Sequence, residues 1–232
     1  MRSALASSLY FSSWRYVWRW VFLLFASAFT LLAGNTNDVD SVLARLTDKV
    51  KDLKTFTADF RQLDKDPLFM DESEHKGKLS FLRQANGNTT NCFLRFDYLE
   101  PEKSVTILAP NGVLIYTEDM TEPQFSPSRD VNRADMVFST FVSPKALKRH
   151  YDVSIAKSEN GKISFKLAPR SAFAKEFFSE AEVDFSEKTG LPERLRQIKL
   201  NGQDITIHFS SPAFNVSLPT NYFDATCFKK AK

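Results

Sequence analysis

Glycine is scarce in this chain, at 7 of 232 residues, against 22 phenylalanines. Little glycine and much phenylalanine exclude a disordered or low-complexity polymer and point to a large apolar interior or an apolar ligand cavity. Cysteine is nearly absent as well. Cys92 and Cys227 are the two in the chain, and with His75, His150 and His208 they show no ligand spacing, so no metal or other cofactor is expected. Phosphate-binding loops, a dinucleotide fingerprint and a Gly-x-Ser-x-Gly elbow are all missing. Carboxylates are many but scattered, which leaves no acid–base pair to nominate, and the chain reads as a non-enzyme.

A basic surface is missing too, once the first block is set aside. The chain has 31 Lys and Arg against 28 Asp and Glu. Arg2, Arg15 and Arg19 lie in the first 33 residues, which hold no acid, so residues 34–232 carry 28 of each. A near-neutral domain lacks the cationic excess that phosphate backbones require, which excludes nucleic acid as a partner.

That first block has its own logic. Three arginines precede an apolar run of about 14 residues, Trp20 to Ala33, followed by small residues, the order of an export signal. The run is short for a bilayer span. Ala26-Ser27-Ala28 satisfies the small-x-small cleavage rule but shortens the apolar run, whereas Ala33-Gly34 keeps its length and leaves Leu31 in the third position back. An uncleaved anchor that recruits Val17 and Trp18 is the other reading. Residues 1–33 are thus assigned as targeting segment and 34–232 as a single exported domain, large enough for one core. In an oxidising compartment Cys92 and Cys227 are candidates for a disulfide, although spacing alone does not supply the geometry.

Within the domain the apolar period changes repeatedly. Val42, Leu43, Leu46, Val50 and Leu53 recur at three- and four-residue steps, which predicts a helix from Asp38. Near Thr55 the period becomes two. Phe56, Ala58, Phe60 and Gln62 alternate with polar residues, as do Leu79, Phe81 and Arg83, then Leu94, Phe96 and Tyr98. Residues 64–76 and the insert Gln84–Asn91 are polar and read as connections. Pro110-Asn111-Gly112 predicts a hairpin between Val105–Leu108 and Val113–Tyr116. Residues 117–133 have no clear period. Ala134–Phe141 and Pro144–His150 predict two short helices, the second opened by Ser143-Pro144. From Tyr151 onward, Asn160-Gly161, Gly190-Leu191-Pro192 and Asn201-Gly202 separate further strands, giving a meander.

The resulting fold class is mainly β (α+β). It is a curled antiparallel sheet or incomplete barrel of eight to eleven strands, with an N-terminal helix and a helical lid over the concave face. Alternation nominates Phe60, Leu79, Phe81, Leu94, Phe96, Tyr98 and Ile107 as inward, cavity-facing positions; each also fits simple core packing. Phe138, Phe141 and Leu147 are candidates for the inner face of the lid. Such a cup can hold an acyl chain, since burial contributes about 0.8 kcal/mol per methylene.

Several segments resemble the LolA family, periplasmic carriers of outer-membrane lipoproteins. They are Phe56-Thr-Ala-Asp-Phe60-Arg-Gln62, Gly77–Arg83, Leu94–Pro101 and Asn111–Tyr116. Lys166–Pro169, Thr189–Arg194 and Asn201–Ile207 follow in the same order. The resemblance implies a monomeric periplasmic carrier that takes acylated lipoproteins from an inner-membrane ABC-type exporter and yields them to an outer-membrane acceptor. It also implies that Arg83 hydrogen-bonds lid backbone in a closed state; read by itself, Arg83 fits a solvated strand end. The sequence departs from the family pattern at Gln84, where Pro is usual, at Leu114-Ile115, where Trp is usual, and in the tail Phe223–Phe228. These departures leave open a relative in the envelope that binds another lipid or a protein partner.

Overall fold

Eleven strands form one antiparallel sheet in a computed structural model that describes residues 36–68, 71–87, 89–127, 136–137, 139–141 and 143–228. The targeting segment, residues 1–33, lies outside the described residues. Among the described residues no helix is long and apolar enough to cross a membrane.

The chain opens with helix α1, Thr36–Val50. Its stripe of Val42, Leu43, Leu46 and Val50 is buried, as the three- and four-residue spacing requires. Strands β1 (Thr55–Asp66), β2 (Asp71–Asn86), β3 (Thr89–Glu100), β4 (Ser104–Ala109), β5 (Gly112–Thr117) and β6 (Gln124–Pro127) follow as a meander. A second meander comprises β7 (Tyr151–Glu159), β8 (Lys162–Pro169), β9 (Phe178–Ser186), β10 (Pro192–Lys199) and β11 (Asp204–Phe214). Between the two lie helical residues at 136–137 and 139–141 and a 3-10 helix, Pro144–Arg149. A short helix α2, Ala172–Phe177, connects β8 to β9.

The meanders join edge to edge where β1 pairs with β11, so the order runs β6-β5-β4-β3-β2-β1-β11-β10-β9-β8-β7. Strands β6 and β7 are the two edges, and the curled sheet is not closed into a barrel. This is the mainly β, incomplete-barrel class the alternation predicts.

Cross-strand register builds the inner wall in rows. Phe56, Phe81, Leu94 and Leu108 form one row, and Ala58, Leu79, Phe96 and Thr106 the next. In the third row Phe60 stands opposite Gly77, which is followed by Tyr98. Glycine is required there. A Cβ at Gly77 would lie 2.1 Å from the Asp97 carbonyl oxygen and 2.6 Å from the Phe60 ring. Asn160 and Gly161 take φ of 52° and 72°, the left-handed pair that a two-residue hairpin turn needs.

Three stretches differ from the sequence reading. Residues 64–76 are mostly strand, because β1 and β2 pair as far as Asp66 and Asp71. The ladder there carries ion pairs in place of apolar alternation, with Arg61–Glu74 at 2.7 Å and Lys65–Glu72 at 3.1 Å. The insert at Gln84–Asn91 is likewise strand up to Asn86 and again from Thr89. Strand β6 and helix α2 are additional elements.

Candidate functional site: a divided apolar cavity under the lid

Two cavities open on the concave face of the sheet. One, of about 290 Å³, is lined by Phe56, Ala58, Leu79, Phe141, Leu191 and Phe209, with Thr189, Glu193, Ser210 and Ser211 as polar lining. A bulge builds part of this wall. Thr57 pairs with Ala213 but Asp59 with Ser210, and the extra residue Ser211 takes φ 52°. The other, of about 240 Å³, lies between Phe96, Tyr98 and Leu108 on one side and Met136, Val137 and Phe141 on the other. Leu195, Ile207 and Phe209 also line it.

Among the described residues the lining of the second cavity is uncharged, with no Asp, Glu, Lys, Arg or His. Two phenols line it, and both stay protonated at neutral pH. Burial pushes Tyr151 up to about 12. Burial, aided by the nearby Asp64 carboxylate, raises Tyr98, whose hydroxyl donates to Gln62 Oε1 at 3.1 Å. A surface of this kind favours methylenes over ions, since an unpaired charge there would be stripped of water with nothing to replace it. Among the described residues no group of three or more His, Cys, Asp or Glu could hold a metal ion.

The nominated residues divide into three sets. Leu79, Phe96, Tyr98 and Phe141 line the cavities. Phe60, Phe81 and Leu94 form the wall beside them: Phe60 makes edge contacts with Phe96 at 5.8 Å and Tyr98 at 5.0 Å, and Phe81 packs on Phe56 at 5.2 Å. Leu147 is buried in the neighbouring cluster with α1 and strands β7–β9. Phe138 lies outside the described residues.

Ile107 is a correction. It pairs with Arg95, between Leu94 and Phe96 on the strand, and therefore points to the outer face. It is nevertheless buried, 1 % exposed. The C-terminal segment covers part of that face: Phe223 packs on Phe93 at 5.8 Å, and Phe228 stacks on Tyr116 at 4.6 Å. On β4 the apolar stripe of Val105, Ile107 and Ala109 lies on the outer face, while the inner face carries Ser104, Thr106 and Leu108, so alternation within the strand selects the wrong face.

Arg83 shares the inner face with Phe81, as its spacing predicts. Its guanidinium donates to the carbonyl oxygens of Val50, at 2.9 Å, and Lys51. These described hydrogen bonds fasten β2 to the C-terminal end of α1, where carbonyls lack helical partners and the dipole favours a cation. They are not bonds to lid backbone.

The cysteines do not pair; both thiols are free. Cys92 packs with Leu94 and Phe96 toward the inner cluster. Cys227 accepts from Arg95 Nη1 at 3.3 Å and so belongs to the outer face. The sheet stands between them.

Phe209, Leu195 and Ile207 are the main cavity residues that the sequence reading did not nominate. For Ile207 and Phe209 the signal was the alternation Ile205, Ile207, Phe209. Their placement depends on the pairing of Phe60 with Phe209, a contact between the first and last strands.

The sequence matches the family model described as "Outer membrane lipoprotein carrier protein LolA" over residues 51–226. Among curated proteins none matches. Three solved structures show the extent of structural likeness. A chain of the MucA/MucB complex of Pseudomonas aeruginosa is 14% identical, with 81% of this chain and 61% of that one covered, at a TM-score of 0.47. This chain thus spans about three fifths of that one's length. A LolA superfamily protein from Nitrosomonas europaea is 9% identical, with coverage of 81% and 98% and a TM-score of 0.40. The lipoprotein LppX of Mycobacterium tuberculosis is 10% identical, with coverage of 79% and 98% and a TM-score of 0.43.

Proposed function

Because this chain belongs to the LolA family of outer membrane lipoprotein carrier proteins, we propose that it is a non-enzymatic periplasmic carrier of acylated lipoproteins. The observation that carries this reading is the uncharged cavity lined by Phe96, Tyr98, Leu108, Leu195, Ile207 and Phe209. Acyl chains leave water for this space while the polypeptide they are attached to stays outside. Each buried methylene contributes about 0.8 kcal/mol, so a few chain carbons are enough to hold cargo without a covalent step. An inner-membrane ABC-type exporter supplies the cargo and an outer-membrane acceptor removes it, because an apolar chain needs a shielded site at both ends of a passage through water.

The test is a pull-down with one lipoprotein in two forms, acylated and with its acylated cysteine replaced by serine. Retention of the acylated form alone is expected. Equal retention of both forms would point to a protein-binding envelope relative, and retention of neither, with binding of a free acyl lipid, to a carrier of another lipid.

A further inference from the structure

The concave face is divided into two chambers. The two cavities share two lining residues, Phe141 and Phe209. Their rings meet edge to face, with centroids 5.4 Å apart and planes at 85°, the geometry that aromatic pairs favour. One ring is anchored and the other belongs to the lid. Phe209 sits on β11 with Phe60 as its cross-strand neighbour. Phe141 comes from the helical residues 139–141, and its ring also lies over Phe56 at 6.3 Å. The chambers, at about 290 and about 240 Å³, lie at or below the lower end of the range usual for ligand sites, about 300 Å³, whereas the two joined fall well inside it.

We propose that the Phe141–Phe209 pair selects acyl-chain length, with a short saturated chain held in one chamber and a long one only after the rings part. This rests on the carrier reading and adds to it a specificity device. Within one chamber each further methylene finds apolar wall and tightens binding roughly fourfold. At the partition the next methylene must first separate a packed aromatic pair, and that gain is cancelled. Past the partition the wall is apolar again. The uncharged chamber suits the chain's terminal methyl end, while the chamber bearing Thr189, Glu193, Ser210 and Ser211 suits its polar end.

The experiment is a displacement series on the full chain, with saturated fatty acids of about eight to about eighteen carbons competing against a fluorescent acyl probe. For the unmodified protein, affinity should rise roughly fourfold per methylene, break to a flat interval at the length that meets the rings, and then resume its rise. In Phe209→Ala the flat interval should disappear, so that the rise is continuous and the affinity gained between the shortest and the longest chains is larger by roughly fourfold for each methylene the interval had cancelled. Phe209→Leu, which keeps apolar packing, should move the break the same way and covers the case in which the alanine variant fails to fold. A straight line in the unmodified protein overturns the proposal, and so does a break that stays in place in the leucine variant. Absence of binding at every length, in every variant, would instead overturn the carrier reading.

Discussion

Arg95 lies over the ring of Tyr222, its guanidinium carbon 4.1 Å from the ring centroid. The same side chain donates to both carboxylate oxygens of Asp97, at 2.7 to 3.0 Å, and to the backbone oxygen of Tyr222 at 2.7 Å. The Tyr222 hydroxyl closes the set by donating to Asp97 at 3.1 Å. One cation thus joins β3 to the C-terminal segment that covers the outer sheet.

Replacing Arg95 by Met should therefore destabilise the protein by roughly 3 kcal/mol, since it leaves Asp97 unpaired in a largely buried place. Tyr222→Phe removes one hydrogen bond and should cost only about 1 kcal/mol. Urea unfolding measures both. In Arg95→Met, hydrogen exchange should also show loss of protection at residues 222–228. A change under about 1 kcal/mol in the Met variant would mean that the segment is held by its aromatic contacts alone.

Arg83 makes a different prediction. Its bonds to the Val50 and Lys51 carbonyls cap α1. Arg83→Ala leaves these acceptors without that donor and should lower stability by about 1–2 kcal/mol, with faster exchange in the last turn of α1. Arg83→Lys should recover only part of the loss, because a single ammonium lacks the guanidinium fork. An unchanged urea midpoint in the alanine variant would remove the capping role.

Much of this arrangement was legible from periodicity, and the exceptions share a physical cause. The α1 stripe and the rows through Phe81, Leu94 and Phe96 follow from spacing, because each strand there is apolar on one face only. The Asn-Gly turns fixed their hairpins because few residues other than glycine and asparagine accept positive φ. Ile107 was misplaced because the apolar stripe of β4, Val105 and Ile107, lies on its outer face, part of which is covered by a segment about 120 residues further along the chain. Residues 64–76 looked like a connection because their cross-strand partners are charges, which leave no hydrophobic period. The partner of Phe60 was hidden because no turn joins β1 to β11, and sequence patterns report hairpins but not the pairing of distant edges.

On the outer face of the second meander, Arg194 donates through Nε to Asp184 at 2.7 Å and through Nη2 to Glu182 at 3.0 Å. Burial alone would push the Asp184 carboxyl up. Hydrogen bonds from Arg194 and Ser164, with the charges of Arg194 and Lys162, outweigh it and hold the group below its ordinary value of 3.8. The unfolded chain therefore takes up this proton at a higher pH than the folded one does. Above the ordinary value the ionised Asp184 contributes its full stabilisation, and that contribution is lost as pH falls through the lower, folded value. Asp184→Asn should accordingly cost about 1–2 kcal/mol near neutral pH, with Glu182 limiting the damage by keeping Arg194 paired. The gap between variant and parent should then narrow steadily in acid, once the pH passes below 3.8. Urea midpoints collected from neutral pH down into that range give the comparison. A gap that stays constant across the series would show that Asp184 acts through packing and polarity, not through its charge.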